Sequence, residues 1–141
     1  MKLENAENVN LLLQKAAESR KRSYAPYSGF TVGAALLCSD GAVYTGANIE
    51  NASYTPTVCA ERVALFNAIH DGHRNFSAIA IVGGRENESP DKLCAPCGVC
   101  RQVMSEFCSG DFKIILSDGK ESHVTTLDEL LPYRFSLGEN K

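Results

Sequence analysis

The chain has 141 residues, a formal net charge of −3, and 44% hydrophobic against 22% charged residues. A chain of this size buries roughly 68–70% of its unfolded surface, so a core forms without staples, and the composition excludes a disordered chain, a coiled coil and a collagen-like repeat. No apolar run approaches the roughly 18 residues of a membrane span, and the lack of a basic excess argues against a protein that coats a nucleic-acid polymer. The opening Met1-Lys2-Leu3-Glu4-Asn5 lacks the apolar core of a secretory signal. The expected compartment is therefore the cytoplasm, where thiols stay reduced. Without repeats, low-complexity tracts or linkers, a single domain over residues 1–141 is expected.

Val9, Leu12, Leu13, Ala16 and Ala17 recur with helical spacing and predict a helix from about Ala6 to Arg22. Tyr24-Ala25-Pro26-Tyr27-Ser28-Gly29 breaks it. Thr31 to Cys38 reads as a buried strand, Ser39-Asp40-Gly41 as a turn, and Val43 to Ala47 as the returning strand of a hairpin. Asn48 to Thr57 is polar and irregular. A helix is expected from Cys59 to His70, with Val63, Ala64 and Asn67 or Ala68 on one side and Asp71-Gly72 as its stop. Phe76 to Val82 reads as a strand covered on both faces. Gly83 to Pro96 is expected to be a long charged loop. Gly98 to Cys108 follows as a helix with Val99, Val103 and Phe107 inward, then a strand from Phe112 to Leu116. Ser122 to Thr125 fits a short strand or a loop. Thr126-Leu127-Asp128-Glu129 has the spacing of a capping box and opens a short helix ended at Pro132. Strands alternating with helices predict an α/β fold, one mixed sheet flanked by helices.

Three of the six cysteines, Cys94, Cys97 and Cys100, fall within seven residues. In a reduced compartment, such clustering suits metal binding or redox chemistry better than a disulfide framework. Cys97-Gly98-Val99-Cys100 follows Pro96 at a helix start, where the helix dipole favours thiolates. Cys59, followed by Ala60 and Glu61, opens another helix. Two adjacent parallel β-α connections would bring these helix starts to one sheet edge. Cys59, Cys97 and Cys100 can then share a zinc ion, leaving a fourth position for water, as in catalytic zinc sites. Glu61, two residues past a ligand, is placed to act as general base toward that water. A redox CxxC remains an alternative, as does a closed site with Cys94 as fourth ligand. Cys38 and Cys108 read as small buried hydrophobes.

Cys59-Ala60-Glu61 with Pro96-Cys97-Gly98-Val99-Cys100 matches the three-cysteine variant of the zinc nucleobase deaminase signature. With Pro26 to Ala35, Gly46 to Tyr54, Val58 to Arg62, Arg101-Gln102 and Glu129 to Pro132, the chain resembles the small homotetrameric cytidine deaminases of pyrimidine salvage. The resemblance runs from about Tyr24 to Phe135. It implies a three-layer α-β-α fold around a mixed five-stranded sheet and one Zn²⁺ per subunit. It further implies hydrolysis of cytidine or deoxycytidine to the uracil nucleoside and ammonia, and a homotetramer whose sites are completed across subunits.

By that resemblance Cys59, Cys97 and Cys100 hold zinc and Glu61 moves protons. Asn48 and Glu50 hold the ribose hydroxyls, Phe30 lies beside the pyrimidine, and the backbone of Ala60 meets the base edge. Tyr54 belongs to the same substrate-binding set. Phe135 enters a neighbouring subunit's site. Three thiolates on Zn²⁺ leave one net negative charge, so Arg62 and Arg101 are expected to compensate it through the sulfurs. Ser136 stands where many relatives have Gly, and Cys94 where relatives usually have a non-ligand residue. Two other readings are kept. One is a deaminase for a cytosine-nucleoside antibiotic of the blasticidin type, whose zinc motif is similar, although Glu50 is suited to ribose hydroxyls. The other is a structural zinc module without activity.

Overall fold

The computed structural model describes Leu3 and residues 5–138. Asn5 caps α1 (Ala6–Ser19), its side-chain oxygen accepting from Glu7 N at 2.9 Å. One 3₁₀ turn, Arg20–Arg22, finishes that helix, so the predicted stretch is helical with a tightened last turn. There follow β1 (Phe30–Cys38), β2 (Val43–Ala47), α2 (Ala60–His70), β3 (Phe76–Arg85), α3 (Gly98–Phe107), β4 (Lys113–Ser117), β5 (Ser122–Thr126) and α4 (Leu127–Leu130). The five strands form one sheet in the order β2-β1-β3-β4-β5. All neighbouring pairs are antiparallel except β3 with β4. This is the expected mixed five-stranded α/β sheet, and Ser122–Thr126 resolves as its edge strand.

Side-chain alternation along the strands separates the two faces. Ala35, Leu37, Ala78, Ala80, Val82 and Ile115 pack under Leu12, Leu13 and Ala16 of α1. Ala34, Leu36, Ile79, Ile81 and Ile114 pack under α2 and α3, with Leu65 and Met104 among the covering residues. Both faces being covered, β3 reads as one continuous apolar run. Two glycines set the approach of the helices. A Cβ on Gly33 would lie 1.9 Å from the Ala16 carbonyl oxygen of α1, and one on Gly46 would lie 2.5 Å from Ala60 O and Ala64 N of α2. Each helix backbone therefore rests directly on the sheet.

Helix ends follow the sequence closely. Gly72, with φ +100°, donates to Ile69 O, and His73 N donates to Ala68 O, the paired bonds of a Schellman motif that ends α2. Thr126 caps α4, its hydroxyl accepting from Glu129 N at 3.3 Å and donating to Glu129 Oε1 at 3.1 Å, so the expected N-cap is made with the carboxylate bonded to the hydroxyl.

Three expectations change. β3 continues through Gly83, Gly84 and Arg85 instead of ending at Val82. In α2 the buried face is Ala60, Glu61, Ala64, Leu65 and Ala68, leaving Val63 partly covered and Asn67 exposed. In α3 the buried face is Cys100, Met104 and Ser105, while Val99 is 59% exposed.

Candidate metal centre and active site

β2 and β3 both run antiparallel to β1 and so are parallel to each other, with β1 between them. The two β-α connections that carry the cysteines are thus parallel but not adjacent, a correction to the expected arrangement. Their effect is the same: α2 and α3 both start at one end of the sheet. Cys59 is the N-cap of α2. Cys97 is the N-cap of α3, its sulfur accepting from Cys100 N at 3.5 Å.

The sulfurs of Cys59, Cys97 and Cys100 lie within 4.8 Å of one another, with Cys59 and Cys97 3.7 Å apart. Zinc-thiolate bonds of about 2.3 Å in a tetrahedron require sulfurs about 3.8 Å apart, so the donor set fits that ion. Cys94 lies outside this three-sulfur group. Its sulfur sits over Gly83, where a Cβ would come within 2.7 Å of it.

Glu61 follows in the first turn of α2 and is only 5% exposed. Burial pushes its carboxyl up to about 7, with the negative charge of Cys59 adding to the effect. The Cys59 thiol is brought down to about 5, first by the Cys100 thiol that bonds to it and then by Arg62. Arg62 Nη2 donates to Cys59 Sγ at 3.5 Å, while its Nε is buried without a partner among the described residues. Arg101 goes elsewhere. Its Nε donates to Pro96 O at 2.8 Å and its Nη1 to Leu130 O at 2.7 Å. Its guanidinium ties the approach to Cys97 and the end of α4 together. The expected bond from Arg101 to sulfur is not made, because these two carbonyls occupy it.

The segment carrying Asn48 and Glu50 is pinned to its surroundings. Ile49 and Val58 exchange backbone bonds at 3.0 Å, and Glu50 N donates to Tyr24 O at 2.8 Å. The Asn48 side-chain oxygen accepts from Val32 N at 2.8 Å and from Ser23 Oγ at 2.6 Å, and its Nδ2 donates to Phe30 O at 2.9 Å. An amide has two acceptor and two donor sites, so one N–H has no partner among the described residues. One Glu50 oxygen accepts from Tyr27 N and Ser28 N at 3.0 and 3.1 Å, and the other accepts from Ser28 Oγ. These bonds, the Ser28 hydroxyl foremost, hold its carboxyl below the usual carboxylate range.

Glu50, Asn51 and Tyr54 line a cleft of about 350 Å³ with Tyr27, Ser28 and Thr57. Phe30 opens β1 at the same side, its ring over Gly83 beside Cys94. Ala60 is fully buried behind Cys59. Phe135 is remote in sequence and 64% exposed, its carbonyl accepting from Gln102 Nε2 at 3.2 Å. Ser23 and Ser28 are functional candidates that the sequence reading missed. The signal available was the polar, turn-forming run on either side of Tyr24 to Tyr27, where hydroxyls readily bond to nearby backbone and side chains.

Comparison with known proteins agrees with this geometry. Residues 6–116 match the family model for the cytidine and deoxycytidylate deaminase zinc-binding region. A cytidine deaminase from Sporosarcina psychrophila is 46% identical over 130 residues, covering 92% of each chain. One from Halalkalibacterium halodurans is 48% identical over 127 residues, 89% of this chain and 92% of that one. The crystal structure of cytidine deaminase from Burkholderia pseudomallei superposes with a TM-score of 0.80 at 46% identity, covering 89% of this chain and 98% of that one. A blasticidin-S deaminase from Bacillus cereus is more distant, 29% identical over 139 residues. With three cysteine sulfurs grouped at two helix starts and these likenesses spanning nearly its whole length, the chain belongs to the zinc-binding cytidine and deoxycytidylate deaminase family.

Proposed function

We propose that this chain hydrolyses cytidine and deoxycytidine to uridine and deoxyuridine, releasing ammonia, with Cys59, Cys97 and Cys100 holding the zinc. The observation that carries this reading is a buried carboxylate, Glu61, two residues from one of three convergent sulfurs. Zinc held by these sulfurs supplies a Lewis acid that makes water acidic enough to ionise near neutral pH. Glu61 takes the proton of the attacking water and delivers it to ring N3, which makes C4 electrophilic. The hydroxyl oxygen adds at C4, Glu61 passes the proton of the new C4 hydroxyl to the 4-amino group, and ammonia leaves as the C4 carbonyl forms. Uridine lacks that amino group, so the reaction stops there.

Ribose recognition follows from what Asn48 and Glu50 have left to offer. Asn48 has a spare donor and Glu50 is an acceptor. A hydroxyl that accepts from Asn48 and donates to Glu50 satisfies both, and a free base offers no such group. Phe30 and the Ala60 backbone flank the pyrimidine in this reading, and Tyr54 borders the cleft that receives the sugar. Phosphate on the sugar would approach the Glu50 carboxylate, so CMP is a poor substrate. The chain works as one domain over residues 1–141, a reading supported by its single sheet. It assembles as a homotetramer, supported by the exposed Phe135 and Val99, which a neighbouring subunit would cover. No helix among the described residues is long and apolar enough to cross a membrane, and we place the protein in the cytoplasm.

One assay tests the function. Loss of ultraviolet absorbance is followed for cytidine, deoxycytidine, cytosine, CMP and blasticidin S on zinc-quantified protein. Turnover of the two nucleosides with the other three poor is expected. Zinc binding without any turnover would leave a structural module, and preference for blasticidin S would move the chain to the antibiotic deaminases.

A further inference from the structure

At the far end of β1 from Phe30, the sulfur of Cys38, a carboxylate oxygen of Asp40 and a ring nitrogen of His73 lie within 4.8 Å of one another. We propose that these three side chains form a second metal site, for a divalent cation that accepts sulfur, nitrogen and oxygen together. Zinc is the cation this set suits, and the site clamps the β1–β2 turn to the end of α2. The eight residue steps from Phe30 to Cys38 span about 26 Å of strand, so the site is separate from the three-sulfur cluster.

Each donor is held by local structure. Cys38 ends β1 just past the register shift between Leu37 and Cys38, and is 1% exposed. Asp40 follows in the turn closed by Gly41, whose φ of +97° suits glycine. One Asp40 oxygen accepts from Ala42 N at 3.0 Å, which orients the carboxylate and presents the other oxygen to His73 Nδ1 at 3.4 Å. His73 stands immediately after the Gly72 that ends α2, placed there by the bond from its N–H to Ala68 O. Its ring packs edge-on against Tyr44 with centroids 5.2 Å apart.

The donor chemistry narrows the ion. A thiolate disfavours magnesium and calcium, which take oxygen ligands, whereas the mixed set suits zinc. The Cys38 thiol loses its proton to solvent as the ion binds, and thiolate plus carboxylate then balance the dication. Three protein donors leave a fourth position for water. At this distance from Glu61 the ion's contribution is to stability. A His73–Asp40 ion pair accounts for two of the groups, and the role of the thiol separates the two possibilities.

Protein already carrying one zinc per chain is titrated with further Zn²⁺, followed by calorimetry and by native mass spectrometry. A second ion per chain is expected, with X-ray absorption reporting mixed sulfur, nitrogen and oxygen ligands. Its occupancy should raise the thermal midpoint, since an ion that binds only the folded state stabilises it. His73→Ala and Cys38→Ala should each weaken this second binding by about tenfold or more, while the first zinc and cytidine turnover are unchanged. His73 lies outside the buried core, which makes its variant readable even where Cys38→Ala perturbs that core. Failure of the zinc-loaded protein to take up a second ion at large excess overturns the proposal. So does wild-type affinity for that ion in either variant.

Discussion

Ser23 Oγ donates to Asn48 Oδ1 at 2.6 Å, and together with Val32 N it fills both acceptor sites of that amide. The amide is thereby oriented with its nitrogen toward Phe30 O. Ser23→Ala removes one of two bonds that set this orientation, and a net cost of about 0.5–1.5 kcal/mol is expected. KM for cytidine should rise while kcat changes little, because Ser23 acts through the amide we propose to bind the ribose. Steady-state kinetics on the variant provide the check, and a fall confined to kcat would separate Ser23 from ribose binding.

Glu61→Gln keeps the shape of the side chain but cannot accept a proton. Zinc should be retained at one per chain, and turnover should fall by about 10²–10⁴-fold. Metal analysis and kcat on the same preparation settle the point. Near-normal kcat with zinc present would remove Glu61 from the chemistry.

The cysteines divide by position. Cys97→Ser should lose zinc and activity together. Cys94→Ser should lose neither, since Cys94 packs over Gly83 outside the three-sulfur group. Zinc stoichiometry after dialysis distinguishes the two variants.

Arg62 is the cation that reaches sulfur. Arg62→Ala should weaken zinc retention or turnover by about 10–100-fold, the usual scale for groups that support metal ligands from behind. Replacing one thiolate by a neutral ligand should offset part of that loss. Adding Cys59→His to Arg62→Ala should therefore be less harmful than adding it to the wild type. Equal harm in both backgrounds, measured on zinc-quantified enzyme, would refute charge compensation.

Gly46→Ala tests the seat of α2. The added Cβ would lie 2.5 Å from Ala60 O and Ala64 N, so the helix must shift or the strand must bend. A loss of about 1–3 kcal/mol is expected from such overpacking. Because Cys59 and Glu61 lie at the start of α2, zinc affinity should fall with the thermal midpoint.

Most of the architecture was legible because period and punctuation agreed. The Gly72 stop, the Thr126 cap and the Ser39-Asp40-Gly41 turn are local devices, readable from a few residues. The failures lie where packing decided. In α3 two stripes share one spacing, Val99-Val103-Phe107 and Cys100-Met104-Cys108. Hydrophobic weight favoured the first, but Cys100 must face the three-sulfur group, and that rotation leaves Val99 outside. Gly83 and Gly84 looked like a loop because glycine weakens strands. They sit in β3 because Cys94 and Arg20 side chains occupy the space of their missing Cβ atoms. The three grouped sulfurs of Cys59, Cys97 and Cys100 carried a sequence signature, whereas the grouping of Cys38, Asp40 and His73 depends on two turns meeting and has none.

The order of the ligands along the chain bears on how the protein is made. Cys59 emerges from the ribosome well before Cys97 and Cys100, with α2 and the whole of β3 synthesised between them. Until β3 has joined β1 and α3 has formed, one sulfur of the three stands at the site. In the reading proposed above, capture of zinc by all three sulfurs has to wait until α3 has left the ribosome, and it can precede the pairing of β4 and β5, which are synthesised after Cys100. A nascent chain halted before Pro96 should be unable to hold the metal, whatever helical structure it has acquired.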